Sequence, residues 1–153
     1  MISHIDHINI VVKDLDRSVK FYTELLGFTL SNQAHLEGDW IETIVGLNGV
    51  NADVKYVRPE SGPRIELIQY NLPEGSEFPD NSLANTRGLR HIAFLVDDMS
   101  VVLKRLEEAG VSPINPPVRV PANVITHKDG HKNLCYLEDP DGVILELTEY
   151  KND

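Results

Sequence analysis

One cysteine, Cys135, in a chain of 153 residues leaves no internal disulfide open to this protein. No apolar run is long enough to span a bilayer, and the opening MISHIDHINIVV has neither the basic start nor the long apolar core of a secretory leader. Positive charge is scarce as well: 14 Lys and Arg face 24 Asp and Glu, for a net charge of −10. A general nucleic-acid binder or an anionic-membrane binder needs a basic field, so neither class fits. An anionic small molecule held in a local basic pocket is still compatible. Glycine and proline are spread along the chain rather than clustered, which excludes a low-complexity segment. What is present, 41% hydrophobic and 25% charged residues, suits one ordinary domain or two small modules sharing a core. The expected address is the cytoplasm.

The chain contains itself twice. IDHINIVVKDLDRSVKFYTELLGF (5–28) aligns with LRHIAFLVDDMSVVLKRLEEAGV (89–111), and His7 falls on His91 and Asp14 on Asp98 at an offset of 84. VKYVRPESGPRIELIQY (54–70) aligns with LCYLEDPDGVILELTEY (134–150) at an offset of 80. That register matches Tyr56 with Tyr136, Gly62 with Gly142, Glu66 with Glu146 and Tyr70 with Tyr150. Two matching blocks in the same order define two modules, 1–72 and 88–150, joined by a polar linker or lid over 73–87. Each reads as strand, helix, then three strands, an α+β organisation. Asp14 or Asp16 is the expected cap of the first helix and Ser100 of the second, with Gly27 and Gly110 as stops. PESGP (59–63) and DPDG (139–142) are hairpin turns.

The pattern RIELIQY (64–70) alternates like a strand yet sets Glu66 between Ile65 and Leu67. A carboxylate there needs solvent, a cation or a metal. Read alone, Glu66 fits a solvated edge residue paired with Arg64, Glu146 fits a water-facing residue like Glu149 on the opposite face, and each His fits an ordinary hydrogen-bonded residue. The repeat changes the weighing, because His7 and His91 open the first strand of each module while Glu66 and Glu146 occupy the last. Packed about a pseudo-twofold axis, the four converge. Two imidazoles and two carboxylates suit one divalent ion, Zn, Co, Ni, Mn or Fe(II), with positions left open for a substrate bearing two adjacent oxygens.

These residues resemble the vicinal oxygen chelate superfamily, the glyoxalase, bleomycin resistance protein and dioxygenase group. HINIVVKDLDRSVKFYTELLGF and YLEDPDGVILELTEY carry the resemblance, which covers essentially the whole chain. It implies tandem βαβββ modules whose strands form a cupped mixed sheet around the metal, and a homodimer. It also implies His7, Glu66, His91 and Glu146 as metal ligands. A four-ligand set is similar to the glyoxalase I and methylmalonyl-CoA epimerase type. Those enzymes remove a proton α to a carbonyl, with the metal as Lewis acid and a carboxylate, here Glu66 or Glu146, as base. The alternatives are an Fe(II) extradiol dioxygenase, which uses His7, His91 and Glu146 without a fourth ligand, and a bleomycin-resistance-type binding protein.

The chain departs from both enzyme types. HINIVV lacks the Arg that helps hold glutathione in glyoxalase I, and residues 120–142 lack the Gly-Ala-His-Gly-like and Phe-Leu-His-Pro motifs of the epimerases. The loop THKDGHKN (126–133) presents His127, Lys128, His131 and Lys132 to an anionic substrate, or is a polar turn centred on Asp129 and Gly130. Arg87 and Arg90 could hold a carboxylate or phosphate. Glu42 is a second carboxylate near the site or an exposed residue of a strand or helix. Trp40 and Tyr70 line a pocket or fill core, Cys135 is a small core residue, and His4 and His35 are incidental.

Overall fold

A computed structural model describes residues 1–79, 82–124 and 130–152. The chain divides into two compact units, Met1–Glu77 and Phe78–Asp153. In the first, β1 (His7–Val11) leads into α1 (Leu15–Lys20), which widens into a π-helical turn over Phe21–Leu25. There follow β2 (Thr29–Glu37), a second helix α2 (Asp39–Val45), β3 (Asn51–Arg58) and β4 (Arg64–Leu72). The second unit holds β5 (His91–Leu95), α3 (Met99–Glu108), a two-residue β6 (Val118–Arg119), β7 (Gly130–Glu138) and β8 (Ile144–Asn152). Each unit builds a four-stranded mixed sheet, ordered β1-β4-β3-β2 in one and β5-β8-β7-β6 in the other. The fold is therefore α+β, a repeated module in two copies. In the first copy the segment WIETIVGL contributes to α2, which has no counterpart among the described residues of the second.

Both sheets are mixed for the same reason. The first strand of each unit returns through a helix and lies parallel to the last, His7 to Val11 against Arg64 to Ile68 and His91 to Leu95 against Ile144 to Thr148. The final two strands form an antiparallel hairpin in each copy. Asp139 closes the second hairpin: its Oδ1 accepts from the backbone N–H of Asp141 and of Val143, each at 2.9 Å, while Gly142 takes a φ of +86°. A side chain with Cβ is strained at that φ, which is why glycine stands there.

Alternation sorts each sheet into two faces. Ile65, Leu67 and Gln69 share one face of β4 and lie under α1, since Gln69 Oε1 accepts the Leu15 N–H at 2.8 Å. Leu145, Leu147 and Glu149 share the corresponding face of β8 under α3, since Glu149 Oε1 accepts the Met99 N–H at 2.9 Å. Leu67, Leu145 and Leu147 are at most 1% exposed, and each such side chain stabilises by about 1.5–3 kcal/mol. Cys135 is core, its Sγ 4.0 Å from Met99 Sδ, and burial pushes its thiol up.

One of the helix caps differs from expectation. Asp98, not Ser100, caps α3: its Oδ1 accepts from the N–H groups of Ser100 at 2.9 Å and Val101 at 3.3 Å, and the Ser100 hydroxyl donates to the same oxygen. Of the two candidates for α1, Asp14 caps it by accepting from Arg17 N–H at 2.9 Å, while Asp16 pairs with Lys55 at 2.6 Å. Glu149 does not face water. It is 2% exposed and acts as an acceptor at the start of α3, because that helix end carries backbone donors with no intrahelical partner.

Candidate metal centre

The opposite face of each sheet carries the predicted ligands. In the first unit β1 and β4 run parallel with Asn9 directly across from Glu66. His7 stands two residues earlier on the same face of β1, and its Nε2 lies 3.4 Å from Glu66 Oε2. In the second unit Ala93 is across from Glu146, and His91 Nε2 lies 3.5 Å from Glu146 Oε2. The repeat thus places the same two atoms opposite one another twice. Each histidine side chain is 39% exposed, whereas Glu66 is 15% and Glu146 only 7% exposed.

Glu66 is not paired with Arg64. Its Oε2 accepts from Asn9 Nδ2 at 2.8 Å and its Oε1 from the Tyr56 hydroxyl at 2.5 Å. Arg64 instead donates to Asp6 Oδ2 at 2.6 Å and lies 4.7 Å over the Tyr56 ring. Asp6 Oδ2 in turn accepts from His7 Nδ1 at 2.8 Å. A closed circuit results, Asp6–His7–Glu66–Tyr56–Arg64 and back. The hydrogen bonds from His7 and Arg64 hold the Asp6 carboxyl below its usual range. Burial, with the hydrogen bond to the Glu66 carboxylate, pushes the Tyr56 phenol up to about 12, so it stays a neutral donor at every physiological pH.

Around Glu146 the partners differ. Its Oε1 accepts from Lys132 Nζ at 3.1 Å and from the Thr148 hydroxyl at 2.5 Å. Burial pushes the Glu146 carboxyl up, but the Thr148 and Lys132 hydrogen bonds and the lysine charge outweigh it and leave the group below its usual value. Tyr136 sits directly across from Glu146, as Tyr56 does from Glu66, and burial with the Glu146 charge raises its phenol. The residue preceding His91 is Arg90 rather than an aspartate, and it turns away: its Nη2 donates to Ser82 Oγ at 2.5 Å.

These donors fit a divalent ion. His7 Nδ1 meets Asp6 and Nε2 meets Glu66, so the imidazole either donates to both carboxylates as a cation or, when neutral and donating from Nδ1, turns a lone pair to Glu66 that a cation between them would satisfy. Ligands each about 2.0–2.2 Å from one ion stand roughly 3.0–3.6 Å from each other at right or tetrahedral angles, which brackets both His–Glu separations. Each unit by itself brings together one histidine and one glutamate of the predicted set, and among the described residues no group of three or more His, Cys, Asp or Glu is arranged to hold a metal.

Other expectations resolve individually. His131 and Lys132 lie on β7 rather than in a loop; His127 and Lys128 fall outside the described residues. Arg87 is exposed. Glu42 accepts the Gly49 N–H at 2.9 Å and closes the loop after α2. Trp40 is 56% exposed, while Tyr70 packs against the cluster of Ile41, Val50, Ala52, Val54 and Ile68. His35 Nδ1 meets Asp53 Oδ1 at 2.7 Å on the outer strands. Sequence reading missed Asn9, Asp6 and Thr148 as partners of the ligand set. Tyr56 and Tyr136 were visible as repeat matches, and their place across from each glutamate needed the register.

The family model for the Glyoxalase/Bleomycin resistance protein/Dioxygenase superfamily matches residues 4–147. The chain belongs to this superfamily. Within it, the chain is 33% identical over 149 residues to an uncharacterized Escherichia coli protein, YaeR, covering 97% of each. It is also 33% identical to a lactoylglutathione lyase of Schizosaccharomyces pombe, over 94% of this chain but 46% of that protein. Among solved structures it is similar to a glyoxalase family protein of Bacillus cereus, with a TM-score of 0.82 and 24% identity over 98% of this chain and 95% of that one. The superfamily includes lyases and dioxygenases, and its members bind small molecules. No helix of the described residues is long and apolar enough to cross a membrane.

Proposed function

We propose that the protein is a metal-dependent lyase or isomerase that abstracts a proton α to a carbonyl in a small substrate bearing vicinal oxygens. The observation that carries this reading is the duplicated pair, a histidine Nε2 facing a glutamate Oε2 at 3.4 Å in one unit and 3.5 Å in the other. His7, Glu66, His91 and Glu146 would hold one divalent ion, Zn, Co, Ni, Mn or Fe, completed within one chain or across a cytoplasmic homodimer. When bound, the ion supplies Lewis-acid stabilisation for the negative charge that develops on the substrate oxygens.

The chain's own groups do the rest. Asp6 fixes the His7 tautomer by accepting its Nδ1 proton. Tyr56 and Asn9 orient the Glu66 carboxylate, and Lys132 and Thr148 orient that of Glu146. Either glutamate could accept a proton at Oε2 once that oxygen is released from the ion. Glu66 accepts from the neutral donors Asn9 and Tyr56, whereas the Lys132 ammonium and the Thr148 hydroxyl disfavour a proton on Glu146. The carbon acid would lose its proton to that oxygen and regain one from it, on the same carbon or on its neighbour.

The test is elemental analysis of tag-free protein beside the His7→Ala variant. About one transition metal per ligand set in the wild type, lost in the variant, is expected. Zn, Co, Ni or Mn would favour enolisation, and tightly held iron would turn the assignment to ring cleavage. No metal after reconstitution with each ion would overturn the reading in favour of a binding protein.

A further inference from the structure

His35, on β2 of the first unit, ends a chain of side-chain amides that begins at α1. Gln69 Oε1 accepts the Leu15 N–H at 2.8 Å, which leaves Gln69 Nε2 to donate to Asn71 Oδ1 at 3.2 Å. Asn71 Nδ2 in turn donates to Asp53 Oδ2 at 2.8 Å and to Asn51 Oδ1 at 2.9 Å. These contacts fix the orientation of every amide, because a backbone N–H only donates and a carboxylate only accepts. Asn51 is left with its Nδ2 aimed at His35 Nε2, 3.2 Å away. That ring nitrogen must offer a lone pair. The arrangement therefore holds a neutral imidazole with its proton on Nδ1, 2.7 Å from Asp53 Oδ1.

The charges around the ring favour the other state. Glu37 Oε2 lies 3.6 Å from the same Nε2, and Asp53 faces Nδ1. The hydrogen bond and charge of Asp53, with help from Glu37, raise the histidine above its ordinary value. Lys55, the cation next to Asp53 on β3, is held at 2.6 Å by Asp16 of α1, and β4 brings only the uncharged Gln69 and Asn71 to the chain. On protonation Nε2 becomes a donor, which repels the Asn51 amide and attracts Glu37. Those two residues have a special place: they are directly opposed as the closing pair of the β2–β3 ladder, and α2 is the connection between them. On the other face of the sheet α2 packs Ile41 against Val50, Ala52, Val54 and Ile68, with Tyr56 at the edge of the cluster. We propose that His35 is a proton-operated latch at the neck of α2: when neutral it binds Asn51, where the chain leaves the α2 segment, and when protonated it releases Asn51 and binds Glu37, where the chain enters it.

The test is a nitrogen-15 NMR titration of the full chain from about pH 5 to about pH 9, reading the His35 ring nitrogens and the Asn51 side-chain amide. Above the transition the neutral ring should carry its proton on Nδ1, and the Asn51 amide resonance should move with the same midpoint as the ring. Two variants should act in opposite directions. Glu37→Gln should lower the midpoint, because the protonated state loses its new partner. Asn51→Ala should raise it, because the neutral state loses its donor, each by roughly 0.2–0.7 in pH for contacts this exposed. Trp40, the sole tryptophan and part of α2, should change its emission at that midpoint in the wild type and not in His35→Gln. A neutral ring protonated on Nε2, or an Asn51 amide that does not follow the ring, would overturn the latch. So would two variants that move the midpoint the same way or not at all, or a Trp40 emission that stays flat through the transition.

Discussion

The two units place the same atoms on the same strands and then surround them differently. His7 and Glu66 sit in a circuit closed by Asp6, Arg64 and Tyr56, and the donors that touch the glutamate are neutral. His91 and Glu146 lack that circuit, and the glutamate leans on an ammonium and a hydroxyl. A duplicated backbone preserves geometry, because sheet register fixes which side chains can meet. It does not preserve electrostatics, which one substitution at a matched position, Ala52 in the first copy and Lys132 in the second, can change. The same contrast recurs at the helix starts: Gln69 accepts the first free N–H of α1, whereas the ionised Glu149 does so for α3. At these two positions the first module uses neutral partners and the second charged ones.

The comparison can be broken most severely at the ligands. Replacing either histidine, His7→Ala or His91→Ala, should remove the metal altogether, read by elemental analysis. Retention of metal by one variant alone would show that the pairs do not act as one set. Next come the matched core leucines. Leu67→Ala and Leu147→Ala should each cost about 2–5 kcal/mol by denaturant unfolding. Coincident transitions would mean that the units unfold together, and separated ones that each melts alone.

A smaller effect should appear with pH. The Glu149 carboxyl is pushed up by burial, but its bonds from Met99 and Asn133 and the Lys151 charge outweigh this and hold it below its ordinary value. A carboxyl depressed in the folded state contributes stability above its unfolded pKa, and that contribution is lost as the pH falls through the folded value. Wild-type stability should therefore decline at acid pH, and Glu149→Gln should flatten part of that decline while Gln69→Glu steepens it. The smallest change should come from the caps. Asp98→Ala should lower the melting temperature more than Asp14→Ala, since Asp98 accepts two backbone N–H groups and Asp14 one.

Much of this fold was legible in the sequence because repetition is readable without coordinates. The alignment of His7 with His91 and Glu66 with Glu146 survives in the structure as two parallel strand pairs with the same atoms opposed. Glu149 and Ser100 were misread because their roles depend on what approaches the strand or helix end, not on their own neighbours in sequence. Glu149 looks like a solvent-facing residue of an alternating strand until α3 lays an unsatisfied N–H on it. Lys132 looked like one of several charges in a turn until β7 was seen to begin at Gly130.

What the sequence determined by itself was the modular plan, the α+β class, the hairpin turns and the matching of His7 and Glu66 with His91 and Glu146. Periodicity and turn chemistry are properties of residues close together along the chain, and internal alignment is read from the sequence compared with itself. Only the tertiary structure decided which groups stand behind each ligand. Tyr56 behind Glu66 and Lys132 behind Glu146 come from 10 and 14 residues away, and Arg64, which ties Asp6 into the His7 circuit, from 58. Those pairings are set by strand register and helix packing, and they give two identical frames two different charges.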